Sequence, residues 1–254
     1  MHDGWGGDPT KRKADMVATI INNLLSNLVL KCAKDEGIRN YFEVGVLGYG
    51  TRAGSAFGGA LAGKSLVLVS DLADNPLRLE ERLRKQDDGA GGILETKVKF
   101  PVWFDPVAGG GTPMCHVLSL AQTILADWIR KHPDSFPPIA FNITDGESTD
   151  GDPAQAAAAV RHLATSDGSV LLFNLHLSAH KAAPVSFPHH SEGLPDEFAV
   201  RLFGMSSELP DGMRAKLREE GYSTESGSRG FVFNADPVVT INFLDIGTRP
   251  ANLR

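Results

Sequence analysis

The chain holds only 2 cysteines in 254 residues, so it is not a small disulfide framework, and its length lets it bury a core without staples. It has no apolar run approaching the roughly 20 residues that cross a bilayer; the longest, such as VLLFNLHL, fall far short. It has no excess of positive charge either, since 25 Lys and Arg stand against 31 Asp and Glu, a formal net charge of -6. The basic residues are scattered or interleaved with acids, as in RLEERLRKQDD, which leaves no electrostatic footprint for nucleic acid. The opening residues, MHDGWGGDPTKRK, contain no apolar core of the kind a signal peptide needs. Cys32 and Cys115 fall on helical patterns among apolar neighbours, as free core thiols do. Together these absences predict a cytoplasmic protein without a membrane span.

Catalytic signatures are sparse as well. The glycine clusters at 58–59, 89–92 and 109–111 read as turns, because none completes GxxxxGK[ST] or a strand-linked GxGxxG. Ser55, Ser65 and Ser70 have no His and Asp at a recognisable triad spacing. His176, His180, His189 and His190 do not read as a zinc site. A spacing of four aligns histidines on a helix, His176 falls on a predicted strand, and no Cys accompanies them.

What the sequence does offer is alternating helix and strand. Val17, Ile20, Ile21, Leu24, Leu25, Leu28 and Cys32 form the stripe of an amphipathic helix over 16–32, with Asp8-Pro9 as its cap and first turn. YFEVGVLGYG reads as a strand over 41–49 and SLVLVSDL as another; RLEERLRK reads as a charged helical turn or two. ETKVKFPVWF is extended, at an edge because of Pro101. From Thr112-Pro113 the positions Val117, Leu118, Ala121, Ile124, Leu125, Trp128 and Ile129 predict a helix that stops before HPDSFPP. IAFNIT and SVLLFNLHL are apolar without alternation, and between them Asp152, Pro153 and Gln155 fit N-cap, N1 and N3 of a helix. Such buried runs separated by helices indicate an α/β fold, a doubly wound, mostly parallel sheet with helices on both faces. We read 1–254 as a single domain with a core over about 8–180 and a C-terminal extension over 181–254. In that extension EFAVRLFG and GMRAKLREEGY are short helical patterns, and PVVTINFLDIG fits helix or strand.

The candidate site lies where ligands of such sheets bind, beyond the carboxyl ends of the strands. There the run FNITDGESTDGDP sets Asp145, Glu147, Asp150 and Asp152 after a buried strand, and AGGGTPM presents the Thr112 hydroxyl at the start of the preceding helix. Thr112 reads as a helix cap or a ligand, roles that do not exclude each other, and Asp145-Gly146 as a turn or a ligand. Asp152 reads as a cap, Glu147 and Asp150 as a solvated face. A hydroxyl and a carboxylate converging on one point suit a hard cation, Mg²⁺ or Mn²⁺.

GGGTPM, a helix, and a buried strand ending in ITDGEST resemble the second and third segments of the metal-ion-dependent adhesion site of von Willebrand factor A (vWA) domains, over residues 8 to about 177. The resemblance implies a Rossmann-like sheet and a non-catalytic protein-interaction module. In it Thr112 is a direct or near-direct ligand of a divalent cation, Asp145 a ligand directly or through water, and the cation bridges to an acidic residue of a partner protein. The family's first segment, a DxSxS at the end of the central first strand, is absent; Met1 falls where the methionine of DxSGSM stands. The chain therefore reads as an N-terminally truncated member lacking its first central strand, with metal binding weak or absent. The strands over 41–49 and 139–144 would then face a gap, each unpaired buried group costing about 1–3 kcal/mol, in a chain that is unstable, rearranged or completed by a partner. Two other functions fit the same loop: a metal-dependent hydrolase or phosphotransferase using Asp145, and a metal-free scaffold.

Overall fold

A computed structural model describes residues 1, 4–5, 8–87, 93–178 and 182–246. The glycine cluster at 89–92 and His180 lie outside them. The chain divides into two compact units, one of Val17–Val46 and Ser55–Pro106, the other of Met1–Met16, Leu47–Gly54 and Val107–Arg254.

The first unit is built on α1 (Lys13–Cys32), which begins later than the Asp8-Pro9 cap predicts because residues Asp8–Arg12 are extended. Its apolar stripe does what the periodicity requires: Ala18 and Leu25 pack with Phe57, Leu61, Val67, Leu72, Trp103 and Phe104. A buried polar residue fixes the register. Asn22, on the same helix, accepts the N–H of Trp103 at 2.8 Å and donates to the carbonyl of Phe104 at 3.2 Å, while the Trp103 indole donates to Leu72. The strand expected over 41–49 is present only as short pieces. One of them, β1 (Glu43–Val44), pairs antiparallel with β2 (Val67–Leu68), where the chain turns at once into α2 (Val69–Asp74).

RLEERLRK is not helical. It forms β3 (Arg78–Asp87), paired antiparallel along its length with β4 (Ile93–Val102). A short charged helix gains little without tertiary packing, whereas the hairpin gives the polar side chains partners. Arg82 lies over the Phe100 ring at 3.5 Å, Lys97 reaches Glu81 at 3.3 Å, and Arg78 binds both Glu80 and Asp105. Leu79 and Leu83 are exposed.

The second unit carries the main sheet. α3 (Met114–Lys131) leads into β5 (Ile139–Thr144), α4 (Ala154–Arg161) and β6 (Leu171–His176). After β7 (Val185–Ser186) come α5 (Glu197–Met205), α6 (Asp211–Glu219), β8 (Phe231–Phe233) and α7 (Pro237–Asp245). The strand order is β5-β6-β8-β7, parallel except for β7, which makes this an α/β fold with a mixed four-stranded sheet. IAFNIT coincides with β5, and the parallel register Ile139↔Leu171 to Thr144↔His176 sets the two apolar runs side by side.

Neighbouring residues of a strand face opposite ways, and both faces of β5 and β6 are covered. Ala140 and Leu172 belong to a core with Met114 and Leu118 of α3, Ala157 of α4 and Leu202 of α5. Phe141 and Phe173, edge to face at 5.7 Å, meet Phe243 of α7 at 5.4 and 6.2 Å. The ambiguity of PVVTINFLDIG is settled in favour of helix by its cap: the Asp236 carboxylate accepts the N–H groups of Val238 and Val239, and Pro237 occupies the first turn. Gly230 lets β8 approach β6, since a Cβ there would lie 2.0 Å from the Phe173 ring.

Candidate functional site

The carboxyl ends of β5 and β6 sit level, Thr144 opposite His176, and the loop that follows β5 carries the predicted acids. Its first turn is closed by Thr144, whose hydroxyl donates to the Gly146 carbonyl at 2.9 Å. Asp145 is thereby held at the strand end with its side chain 16 % exposed, and its carboxylate is ion-paired to the Met1 ammonium group. Beside it, Lys13 is buried with its ammonium on the Leu177 carbonyl at 2.7 Å.

Thr112 reaches the same place from the other loop. Its N–H donates to Thr149 Oγ1 and its carbonyl accepts from the Thr149 N–H, both at 2.9 Å, which stitches the glycine loop to the acidic loop. The Thr112 hydroxyl lies 3.6 Å from where a Cβ on Gly146 would stand, so it faces the turn carrying Asp145. Gly111 is required by the same stitching, since a Cβ there would lie 2.5 Å from Thr149 Oγ1, and Gly110, with φ +78°, by the close approach of Thr51, whose nitrogen would lie 2.5 Å from its Cβ. The Thr112 hydroxyl thus lies near Gly146, the residue that follows Asp145.

It also redistributes the other acids. Thr112 does not cap α3 through its side chain; that role falls to Asp150, which is exposed, as the sequence reading has it, and still reaches the helix. The Asp150 carboxylate accepts the N–H of Cys115 at 3.0 Å, the N–H of His116 at 2.9 Å and the Ser148 hydroxyl at 2.9 Å. Desolvation opposes its ionisation, yet these donors hold its carboxyl below the ordinary value. Asp152 accepts the N–H of Ala154 at 3.0 Å, the predicted cap of α4. Glu147 is exposed. Cys115 is free, and burial raises its thiol pKa, which disfavours the thiolate.

Behind the loops runs a line of buried polar groups that the sequence did not reveal. The Tyr49 hydroxyl lies 2.8 Å from both Asn142 Oδ1 and the Ile143 carbonyl, Asn142 donates to Asn174 at 2.8 Å, and Asn174 donates to the Ser206 hydroxyl at 2.9 Å. Enclosure pushes the Tyr49 phenol well above its ordinary pKa, so it stays protonated. The only signal in sequence was an Asn at the same position of each apolar run, FNI and FNL, and in-register pairing of β5 and β6 explains it.

As a cation site, Thr112 and Asp145 match a hard cation in kind but fall short in number. Mg²⁺ calls for six oxygens in near-octahedral array, and among the described residues no three Asp, Glu, His or Cys side chains converge. His176 is buried edge-on against Phe233 at 5.3 Å, in a packing role. Among the described residues no helix is long and apolar enough to cross a membrane. No protein-family profile, curated protein or solved structure matches the chain.

Proposed function

We propose that the chain is a non-catalytic interaction module of the vWA type, its sheet being part of the doubly wound arrangement of that family. On this reading the loops at the ends of β5 and β6 form the binding face for another protein. The observation that supports the reading is the pairing of Thr112 with Thr149, which ties the glycine loop to the acidic loop that carries Asp145 beyond a parallel sheet. Thr112 and Asp145 would hold Mg²⁺ or Mn²⁺, and the cation would supply a positive bridge to an acidic residue of the partner. With only two protein donors the chain alone binds the ion weakly, so cation and partner carboxylate bind cooperatively.

Calorimetry tests this with MnCl₂ titrated in the absence and presence of an amidated Gly-Asp-Gly peptide. The expected result is weak binding alone, tightened about fivefold or more by the peptide, with the gain lost in Thr112→Ala and Asp145→Asn. Stoichiometric micromolar Mn²⁺ binding by the chain alone would contradict the two-donor site; a peptide effect indifferent to both substitutions would remove the module reading.

A further inference from the structure

The amino ends of β6 and β8, at the opposite end of the sheet from the acidic loop, hold a cluster that the cation reading does not use. The chain leaves α5 at Ser206 and is tied at once to the start of β6: the Ser207 N–H donates to the Leu172 carbonyl at 2.7 Å, and Ser207 Oγ accepts the Leu172 N–H at 2.9 Å. Two arginines meet at this corner. Arg161, the last residue of α4, donates from Nη1 to the Ser206 carbonyl at 3.4 Å. Arg229, just before β8, donates from Nη1 to the same carbonyl and to that of Gly204, both at 3.2 Å, with its guanidinium 5.0 Å from the Phe203 ring.

The corner holds more positive charge than it offsets. A helix C-terminus supplies about half a negative charge, and here two guanidiniums share it. Among the described residues Arg161 forms no ion pair, and its Nε is enclosed without an acceptor. Glu208, the carboxylate that faces Arg229, is exposed and stops 4.0 Å away. Burial and then the Arg229 charge hold Arg161 below its ordinary pKa. A capping role explains one arginine on the Ser206 carbonyl, not two that repel each other.

We propose that Arg161 and Arg229 form a binding site for a phosphate group, held by the guanidinium N–H groups that the Ser206 and Gly204 carbonyls leave unused. Each side chain carries five donors in a planar fork and spends only Nη1 on the backbone. Such forks match the oxygens of phosphate two at a time. The charge selects phosphate over carboxylate: a phosphate monoester carries close to two negative charges at neutral pH, against two guanidiniums, whereas the single charge of Glu208 leaves one unmatched. The group comes free in solution or on a phosphorylated side chain, and the probes below separate the two sources. The site stands apart from the cation reading, and EDTA in the buffer keeps the two independent.

The test is calorimetry on the full chain in EDTA at constant ionic strength, with sodium phosphate and acetyl-Gly-phosphoserine-Gly-amide as probes. Saturable one-to-one binding is expected. Binding of both probes identifies free phosphate as sufficient, and binding of the peptide alone identifies a phosphorylated side chain. Sodium acetate and the unphosphorylated peptide bind about tenfold weaker or not at all. Arg161→Gln weakens binding about tenfold. Glu208→Gln, at an exposed position that leaves the fold untouched, tightens it about threefold by removing the competing charge. Phosphate raises the thermal transition of the native chain and leaves that of Arg161→Gln where it stands in chloride. No saturable binding by either probe, acetate bound as tightly as phosphate, or binding indifferent to both substitutions overturns the proposal and leaves the arginines as caps of α5.

Discussion

The two borders of the main sheet are finished in opposite ways. At one side β8 is covered by β7, a strand of two residues running antiparallel, after which the chain leaves the sheet at Phe187 with φ 54°. A short edge strand offers little to pair with. At the other side β5 is six residues long and apolar, and among the described residues the hydrogen bond to its outward groups comes from the Tyr49 hydroxyl on the Ile143 carbonyl. One border ends in an antiparallel strand of two residues, the other in a parallel strand of six.

Three substitutions probe that contrast. The largest effect is expected at the β8 side, where Gly230→Ala drives a methyl to within 2.0 Å of the Phe173 ring. Gly230 also accepts from the Asn174 N–H and donates to the Ser207 carbonyl, so the backbone has no room to retreat. A loss on the order of 3 kcal/mol is expected in urea unfolding, and unchanged stability would show that β8 does not anchor the sheet. Next, Asn174→Ala cuts the polar line in its middle, leaving Asn142 and Ser206 short of a partner. The expected cost is about 2–3 kcal/mol, and a double-mutant cycle with Ser206→Ala should show strong coupling between the two sites.

The smallest effect is at the β5 side. Tyr49→Phe removes the one proton shared between Asn142 and Ile143, for about 1 kcal/mol. It should leave the hydrogen-exchange protection of β8 intact. It also changes the response to alkali. The folded phenol titrates above its unfolded value of about 10 because burial disfavours the phenolate. Between those two values the native state holds a proton that the unfolded chain has lost, so stability falls as pH rises above about 10, by at most about 1.4 kcal/mol per unit. The Phe variant lacks this component; parallel alkaline curves for the two proteins would refute the buried phenol.

The same contrast explains what could be read in the sequence. β5 and β6 were legible because strands covered on both faces are apolar without alternation, and α3 because one stripe faces a core. Asp152 was legible as a cap because its target is two residues away. Asp150 was not, because the N–H groups it accepts lie 35 and 34 residues earlier, and an acid beside polar neighbours then looks solvated. The Tyr49 contact with Asn142 spans 93 residues and carries no local pattern. RLEERLRK, read as a charged helical turn or two, failed for a related reason: the strand that pairs with it and makes it extended lies beyond the run itself. Thr112 and Asp145 were placed on loops correctly because each follows or precedes an element with a clear period.

The acidic loop, finally, is mechanical as well as chemical. Asp150 grips the start of α3 and Asp152 the start of α4, so one stretch of three residues is bolted to two rods. α3 runs for 18 residues beyond that joint, about 27 Å at the helical rise. Anything that tugs the loop when it binds therefore has a lever in hand, with its far end on the opposite side of the unit.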